Sequence, residues 1–422
     1  MSAGTGSRAR RRAAIWVAVG VVAAVTIGGG AFAAATGGMK PAAQPSASLA
    51  PEMDDAIQPS ASPIDMTDAA GRPSASPATP PTPRTPPTPR PTLTPTPSLT
   101  PSPAPTPLTA SERLLTTTDD PAACAVTFDG AEINDAPMLQ TQGSLYSGLP
   151  IPDRVDAVFA GWYATRADAA ARTIAARVNG SELVECTDQE RTLYGAWTTV
   201  DANVAEDARI PIMMYHQFTT RPEGENGYLR GNWAYIGDFD AHMNHIATGG
   251  FYLPTWDELS AFIDGRLWLP SRSVIITDDD CDLSWLQLAL PIVVDKHLLS
   301  TAFCITIDGT GPSPSMYVQQ RSHTHDMHRP GADGEGRMVN LPVPDIVADM
   351  EASAAVLGVK QVMAYPFGHY NDTAKEALRQ AGWELARTVE PGYVTIGTDK
   401  LTLPCVRIDY GMGLDDVINL IG

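Results

Sequence analysis

Twenty of the chain's 37 prolines fall between Pro41 and Ala110, a stretch with no Trp, Tyr, Phe or Cys. Proline fixes φ and removes a backbone donor. Runs such as Thr79-Pro80-Pro81-Thr82-Pro83-Arg84 and Thr94-Pro95-Thr96-Pro97 favour an extended polyproline II form without internal hydrogen bonds. With no aromatic and few large apolar side chains to bury, the stretch has little to offset the entropy of ordering. Residues 41–110 are therefore expected to be a disordered linker, a stalk reaching on the order of 200 Å if fully extended. Packed structure is expected only beyond it.

Ahead of the stalk, residues 1–40 begin with Arg8, Arg10, Arg11 and Arg12 and continue into the apolar run Ala13–Ala35. The run is long enough to cross a hydrocarbon core of ~30 Å as a helix. Basic residues before it and none soon after set the N-terminus in the cytoplasm and the remainder outside. The reading is a single-pass signal-anchor at the cell membrane. A cleavable signal peptide ending near Ala31-Phe32-Ala33 is the rival, and it gives a secreted protein. Either way the rest of the chain is exported. The formal charge of −19, from 29 Lys+Arg against 48 Asp+Glu, argues against nucleic acid as a partner, because a phosphate-binding face is basic. Five Cys in 422 residues are too sparse for a disulfide scaffold.

Residues 111–205 read as a small module. Cys124–Gly130 alternates like a strand and ends in a turn signal. Phe159-Ala160-Gly161-Trp162-Tyr163 and Thr192-Leu193-Tyr194-Gly195-Ala196-Trp197 follow. At these points the segment resembles the Listeria–Bacteroides repeat, the β-grasp module of bacterial surface proteins. The Ala-rich stretch Arg166–Val178 departs from that repeat and has helical composition. Trp162 and Tyr163 are expected in the module's core rather than on a sugar-binding face. Cys124 and Cys186 are candidates for a bridge in an oxidising exterior. The module is read as a spacer or adhesion unit whose removal leaves the chemistry of the following domain unchanged.

From residue 206 to 422 short β-rich runs alternate with helical ones. Strands are expected at Ile210–Tyr215, Ser273–Thr277, Ser300–Thr306, Gln361–Tyr365, Leu385–Val389 and Cys405–Ile408. Helices are expected at Phe239–Thr248, Thr255–Ile263, Leu283–His297, Val343–Leu357 and Thr373–Ala381. The alternation predicts an α/β domain with a parallel sheet or barrel, whose site gathers at the carboxyl ends of the strands. Those ends carry Asp278-Asp279-Asp280-Cys281-Asp282, Ser322-His323-Thr324-His325-Asp326-Met327-His328 and Tyr365-Pro366-Phe367-Gly368-His369-Tyr370-Asn371-Asp372. Taken alone, an Asp run fits a solvated turn and a His cluster fits a surface patch. Together, each beside a strand, they form a Zn²⁺ ligand set with a position open to water, and a second carboxylate beside it as a base.

These motifs resemble the polysaccharide deacetylase family (NodB homology, carbohydrate esterase family 4), nearest its poly-N-acetylglucosamine branch. Pro211–His216 matches the branch's opening P-I-L-M-Y-H strand. Thr277–Cys281 corresponds to T-F-D-D-G, Ser322–His328 to S-H-T-x-x-x-H, and Ala364–Asp372 to A-Y-P-x-G-x-Y-N-D. The resemblance implies a distorted (β/α)7 barrel and metal-dependent removal of N-acetyl groups from peptidoglycan or poly-N-acetylglucosamine. It implies Asp279 as general base and His216 as general acid. Asp280, His323 and His328 would be ligands of a divalent metal, taken as Zn²⁺. Tyr215, Pro366, Phe367 and Gly368 would bind substrate. His325 is the alternative to His328 as a ligand, and loop Gly309–Pro330 is expected to shape the groove.

Two positions depart from the family pattern: Asp278 stands where an aromatic is usual, and Cys281 replaces a glycine. A third buried carboxylate is expected to raise the pKa of Asp279. Cys281 is a partner for Cys304 or Cys405. The departures also support a rival reading, a catalytically degenerate deacetylase fold that binds glycan or acts as a surface adhesion protein.

Overall fold

The computed structural model describes residues 107–422. The apolar run Ala13–Ala35 and nearly all of the proline-rich stretch lie outside the described residues. Among the described residues no helix is long and apolar enough to cross a membrane.

The first part is a mixed five-stranded sheet built from β1 (Ala123–Asp129), β2 (Met138–Thr141), β3 (Val158–Tyr163), β4 (Arg177–Val178) and β5 (Glu190–Thr198). Their order is β2-β1-β5-β3-β4. The central pair β1/β5 is parallel and the other pairs are antiparallel. The Ala-rich stretch forms the helix Arg166–Ala171, started by Thr165, whose hydroxyl accepts the Asp168 N–H. Trp162 and Tyr163 are buried. A disulfide joins Cys124 to Cys186.

The second part is a closed barrel of seven parallel strands: β6 (Ile212–Tyr215), then, after the short parallel pair β7 (Gln217–Thr219) and β8 (Trp233–Tyr235), β9 (Ile275–Asp280), β10 (Ser300–Cys304), β11 (Val318–Ser322), β12 (Val362–Ala364), β13 (Leu385–Pro391) and β14 (Leu403–Arg407). The closed order is β10-β11-β12-β13-β14-β6-β9. Parallel neighbours need crossover connections, and the predicted helices supply several of them, including Trp256–Ile263, Val343–Leu357 and Asp372–Gln380. The Leu283–His297 expectation resolves into a five-residue π turn, Trp285–Ala289, followed by the helix Leu290–Asp295 with Pro291 in its first turn, where the missing N–H costs least.

Two strand expectations change. β11 was not anticipated, because Val318-Gln319-Gln320-Arg321-Ser322 lacks apolar alternation. β9 runs on to Asp280, three residues beyond Thr277. Asp278 and Asp279 are therefore sheet residues paired with Tyr215 and Ala302 and with Phe303, not a turn that follows the strand.

The first part is not the detachable spacer expected of it. One apolar cluster takes in Cys124, Val126, Phe159, Trp162 and Leu193 from the small sheet together with Ile210, Ile212, Trp256, Leu259 and Leu385 from the barrel. Both parts belong to one compact unit. Backbone bonds cross the junction: Phe159 N–H donates to Arg266 O (3.1 Å) and Trp268 N–H to Phe159 O (2.8 Å). Beside them Arg177, with no exposed side-chain surface, pairs with Glu258 on the barrel at 3.4 Å. Arg177 also donates to Trp268 O at 2.9 Å. Asn179 Nδ2 donates to the same Glu258 at 2.6 Å, and Tyr252 OH and the Thr255 N–H (3.0 Å) donate to it as well.

Candidate metal centre

All seven barrel strands run the same way, so their carboxyl ends meet at one mouth. β9 delivers Asp279 and Asp280 there. Consecutive strand residues point to opposite faces, yet both carboxylates reach the mouth. The backbone explains this: Asp280 (φ 74°) and Cys281 (φ 55°) are both left-handed, which breaks the alternation at Asp280. β11 delivers His323, and the turn after it delivers His328.

Asp280, His323 and His328 each offer a ligand atom, and these atoms lie within 4.8 Å of one another. Asp280 Oδ1 is 3.6 Å from His323 Nε2 and 3.4 Å from His328 Nε2. The set fits a metal on three observations. Asp280 Oδ1 is buried with no hydrogen-bond partner, while Oδ2 is held by Gln217 at 3.0 Å. His323 Nδ1 lies 2.9 Å from Ala364 O, so this nitrogen carries the proton and Nε2 keeps its lone pair. Burial, with His323 beside it, holds the His328 imidazole well below the usual histidine range and therefore neutral. The donor set, two imidazoles and one carboxylate, is one that suits Zn²⁺.

The turn between the two histidines is clamped from the helix Val343–Leu357. The Asp349 carboxylate accepts the N–H groups of His325 (2.7 Å) and Asp326 (2.8 Å). His325 is thereby turned away and meets Thr306 Oγ1 at 3.1 Å; it is outside the ligand triplet. His328 instead packs against His323 and against Phe367, with ring centroids 4.5 and 4.4 Å apart.

Asp279 lies beside this triplet, with His216 Nε2 3.7 Å from its Oδ2. Its carboxyl is held below the usual carboxylate range. Burial alone would raise it, but Arg387, His216 and His323 outweigh burial. The expected upward shift of Asp279 is therefore corrected. Arg387, fully buried on β13, ion-pairs with Asp279 Oδ1. Asp278 takes the penalty instead: burial and the neighbouring Asp279, Asp282 and Asp280 push it well above the usual range. Burial pushes His216 below the ordinary histidine value, with Asp279 and Asp280 pulling it back in part.

Arg387 was missed by sequence reasoning. Its signal was a single cation inside the apolar run Leu385-Ala386-Arg387-Thr388-Val389; a buried guanidinium needs a buried anion. Tyr215 is a second correction. Its side chain is fully buried among Phe218 and Phe239, with its hydroxyl 3.1 Å from His242 Nδ1, and it does not line the mouth. The residue before His216 must face the other way along the strand.

In the Pro366-Phe367-Gly368 turn, Pro366 is buried. Phe367, at φ 58°, is 43% exposed and presents its ring over His328. Gly368, at φ 73°, leaves no room for a Cβ against Val389. Beside Asp280 opens a cleft of about 300 Å³ lined by Cys281, Cys304, Gly309, Thr310, Pro312 and Gln320, among others, so the start of loop Gly309–Pro330 does border it. Of the cysteines, Cys281 pairs with Cys304, and Cys405 is free and buried.

Fold and site together define a seven-stranded parallel α/β barrel with a candidate mononuclear metal centre at its mouth. No family model matches the chain. It is similar to the Bacillus subtilis protein YxkH, which is named as a polysaccharide deacetylase, at 23% identity over 218 residues, covering 49% of this chain and 73% of that protein. It is also similar to the Staphylococcus aureus poly-β-1,6-N-acetyl-D-glucosamine N-deacetylase, at 26% identity over 160 residues, 33% of this chain. That match spans only 55% of the S. aureus protein's own length. The Streptococcus pyogenes deacetylase PplD, solved with acetate, superposes with a TM-score of 0.43 at 21% identity, over 51% of this chain and 99% of that one.

Proposed function

We propose that this protein is an exported hydrolase of amide bonds that removes N-acetyl groups from an N-acetylglucosamine polymer of the cell wall or surface. The observation that carries the reading is the Asp280–His323–His328 triplet with an orphaned carboxylate oxygen, set beside an ionised Asp279. A divalent metal, Zn²⁺ by the donor set, would supply Lewis acidity towards water and the acetyl oxygen. Asp280, His323 and His328 would hold it. Asp279, kept anionic by Arg387, accepts the proton of the attacking water. His216, at the end of the adjacent strand β6 and 3.7 Å from Asp279, is placed to deliver a proton to the departing nitrogen. Phe367 over His328 walls the mouth on one side. The retained geometry of both aspartates and both histidines favours hydrolysis over a degenerate, glycan-binding barrel.

On this reading Ala13–Ala35 anchors the chain in the cell membrane, the proline-rich stalk carries the barrel outward, and the small sheet is a β-grasp module in the segment 111–205 that precedes the 206–422 catalytic domain. The sheet order β2-β1-β5-β3-β4, with a parallel central pair and one crossing helix, supports the β-grasp assignment.

The test is acetate release from poly-N-acetylglucosamine, peptidoglycan and acetylated xylan, with and without a chelator. Release from an N-acetylated polymer is expected, lost on chelation and restored by Zn²⁺. Release from xylan only, or release indifferent to the chelator, would overturn the proposal.

A further inference from the structure

The tether beside the metal site is covalent. Cys281 follows Asp280 directly, and its disulfide partner Cys304, with the Cα atoms 4.8 Å apart, is the residue that pairs with Asp280 across the β9/β10 ladder. The neighbouring strand therefore grips the chain at the position next to the ligand. That grip acts on backbone in need of one, because Asp280 and Cys281 are two successive L-residues in the left-handed region. Such a conformation is disfavoured and persists only where the surroundings impose it. The hold on the Asp280 side chain is slight: Gln217 binds Oδ2 and nothing binds Oδ1. A glycine in place of Cys281 would adopt this backbone freely but could not be tied to β10.

We propose that the Cys281–Cys304 disulfide is a positioning device for Asp280, and that opening it with a thiol weakens metal binding. The proposal rests on the metal reading given above. Both cysteines line the cleft beside Asp280, and Cys281 is partly exposed, so a small thiol has a path to the bond. The thiolate attacks one sulfur and breaks the S–S bond, giving a mixed disulfide. A second thiol then displaces the protein sulfur, leaving two protein thiols and one oxidised thiol dimer, a two-electron exchange that needs no other reagent. Asp280 is then free to relax to a right-handed or extended backbone, which re-aims its carboxylate.

The test uses the exported chain, residues 41–422 with the stalk, prepared without metal and titrated with Zn²⁺. The variant Cys281→Ser/Cys304→Ser is expected to bind Zn²⁺ about tenfold or more weakly, the range seen when a group supporting a metal ligand is lost. Cys124→Ser/Cys186→Ser removes the remote disulfide and is expected to lower the unfolding temperature while keeping wild-type Zn²⁺ affinity. Reducing this second variant with glutathione under native conditions, then desalting without oxygen, opens only the bond in question and is expected to reproduce the weakening even if the serine pair folds poorly. Wild-type affinity in both the serine variant and the reduced protein overturns the positioning role, as does tighter binding after reduction. Absence of Zn²⁺ binding by the oxidised wild type overturns the metal reading itself, an outcome distinct from equal binding by all forms.

Discussion

Replacing Asp279 with Asn is expected to lower kcat for acetate release by about a thousandfold, within the span usual for loss of a positioned general base, while Zn²⁺ still binds to Asp280, His323 and His328. The amide keeps the shape of the side chain but cannot accept a proton. Arg387→Met makes the complementary change. It leaves Asp279 in place and removes the buried guanidinium that holds its carboxyl below the ordinary range against burial. The sign follows: a base with a depressed pKa stays ionised until pH falls through that low value, and without Arg387 protonation begins at higher pH. The acid limb of the kcat/KM profile should therefore move to higher pH in Arg387→Met, with the loss greatest in acid and partly recovered towards neutrality. Asp279→Asn should lose activity at every pH. An unshifted acid limb in Arg387→Met would remove the guanidinium from the mechanism, and substantial acetate release by Asp279→Asn would remove the base.

These two residues also mark how far the sequence was legible. His216, Asp279 and Asp280 stand at the ends of recognisable strands, and His323 and His328 stand in a short histidine motif, so local pattern and resemblance located them together. Arg387 stands 108 residues from its carboxylate partner, in a strand whose apolar pattern makes it look like a defect. What it does is set by closure of the barrel, a non-local event that no window of sequence reports. The same limit hid β11, where Gln319, Gln320 and Arg321 interrupt the apolar pattern although the strand completes the barrel. Tyr215 is a different case. Period-two geometry sets it opposite His216, so its burial against Phe239 was readable from its neighbour's assignment. Asp278 shows a third kind of limit: its burial depended on β9 running past Thr277, and that Asp279 beside it is held below the ordinary range depended on the position of one distant guanidinium.

The junction between the small sheet and the barrel carries the other large expected effect. Arg177→Met should destabilise the chain by about 3–5 kcal/mol, the usual cost of leaving a buried charge without its partner. Glu258 sits almost wholly inside, with Arg177, Asn179 and Tyr252 around it, so losing the cation leaves its carboxylate desolvated. Glu258→Gln should cost less than Arg177→Met, because the neutral amide still accepts a hydrogen bond from Asn179 or Tyr252. Combining the two changes should cost less than their sum, since partners in one network do not add. Urea unfolding followed by tryptophan fluorescence reads the effect, helped by Trp162, Trp256 and Trp268 at or near the junction. A single transition that moves as a whole is expected, because the two parts share one apolar cluster. If instead the barrel unfolds at its wild-type midpoint while the small sheet unfolds earlier, the shared core is not cooperative. Deleting 123–199 is the harsher form of the same test. It bares Trp256, Leu259 and Leu267, all buried in the intact chain, and strips Arg177 and Asn179 from Glu258 in one step. The truncated barrel should aggregate or fail to fold, so the small sheet is part of what keeps the metal mouth in shape even though it contributes no ligand to it.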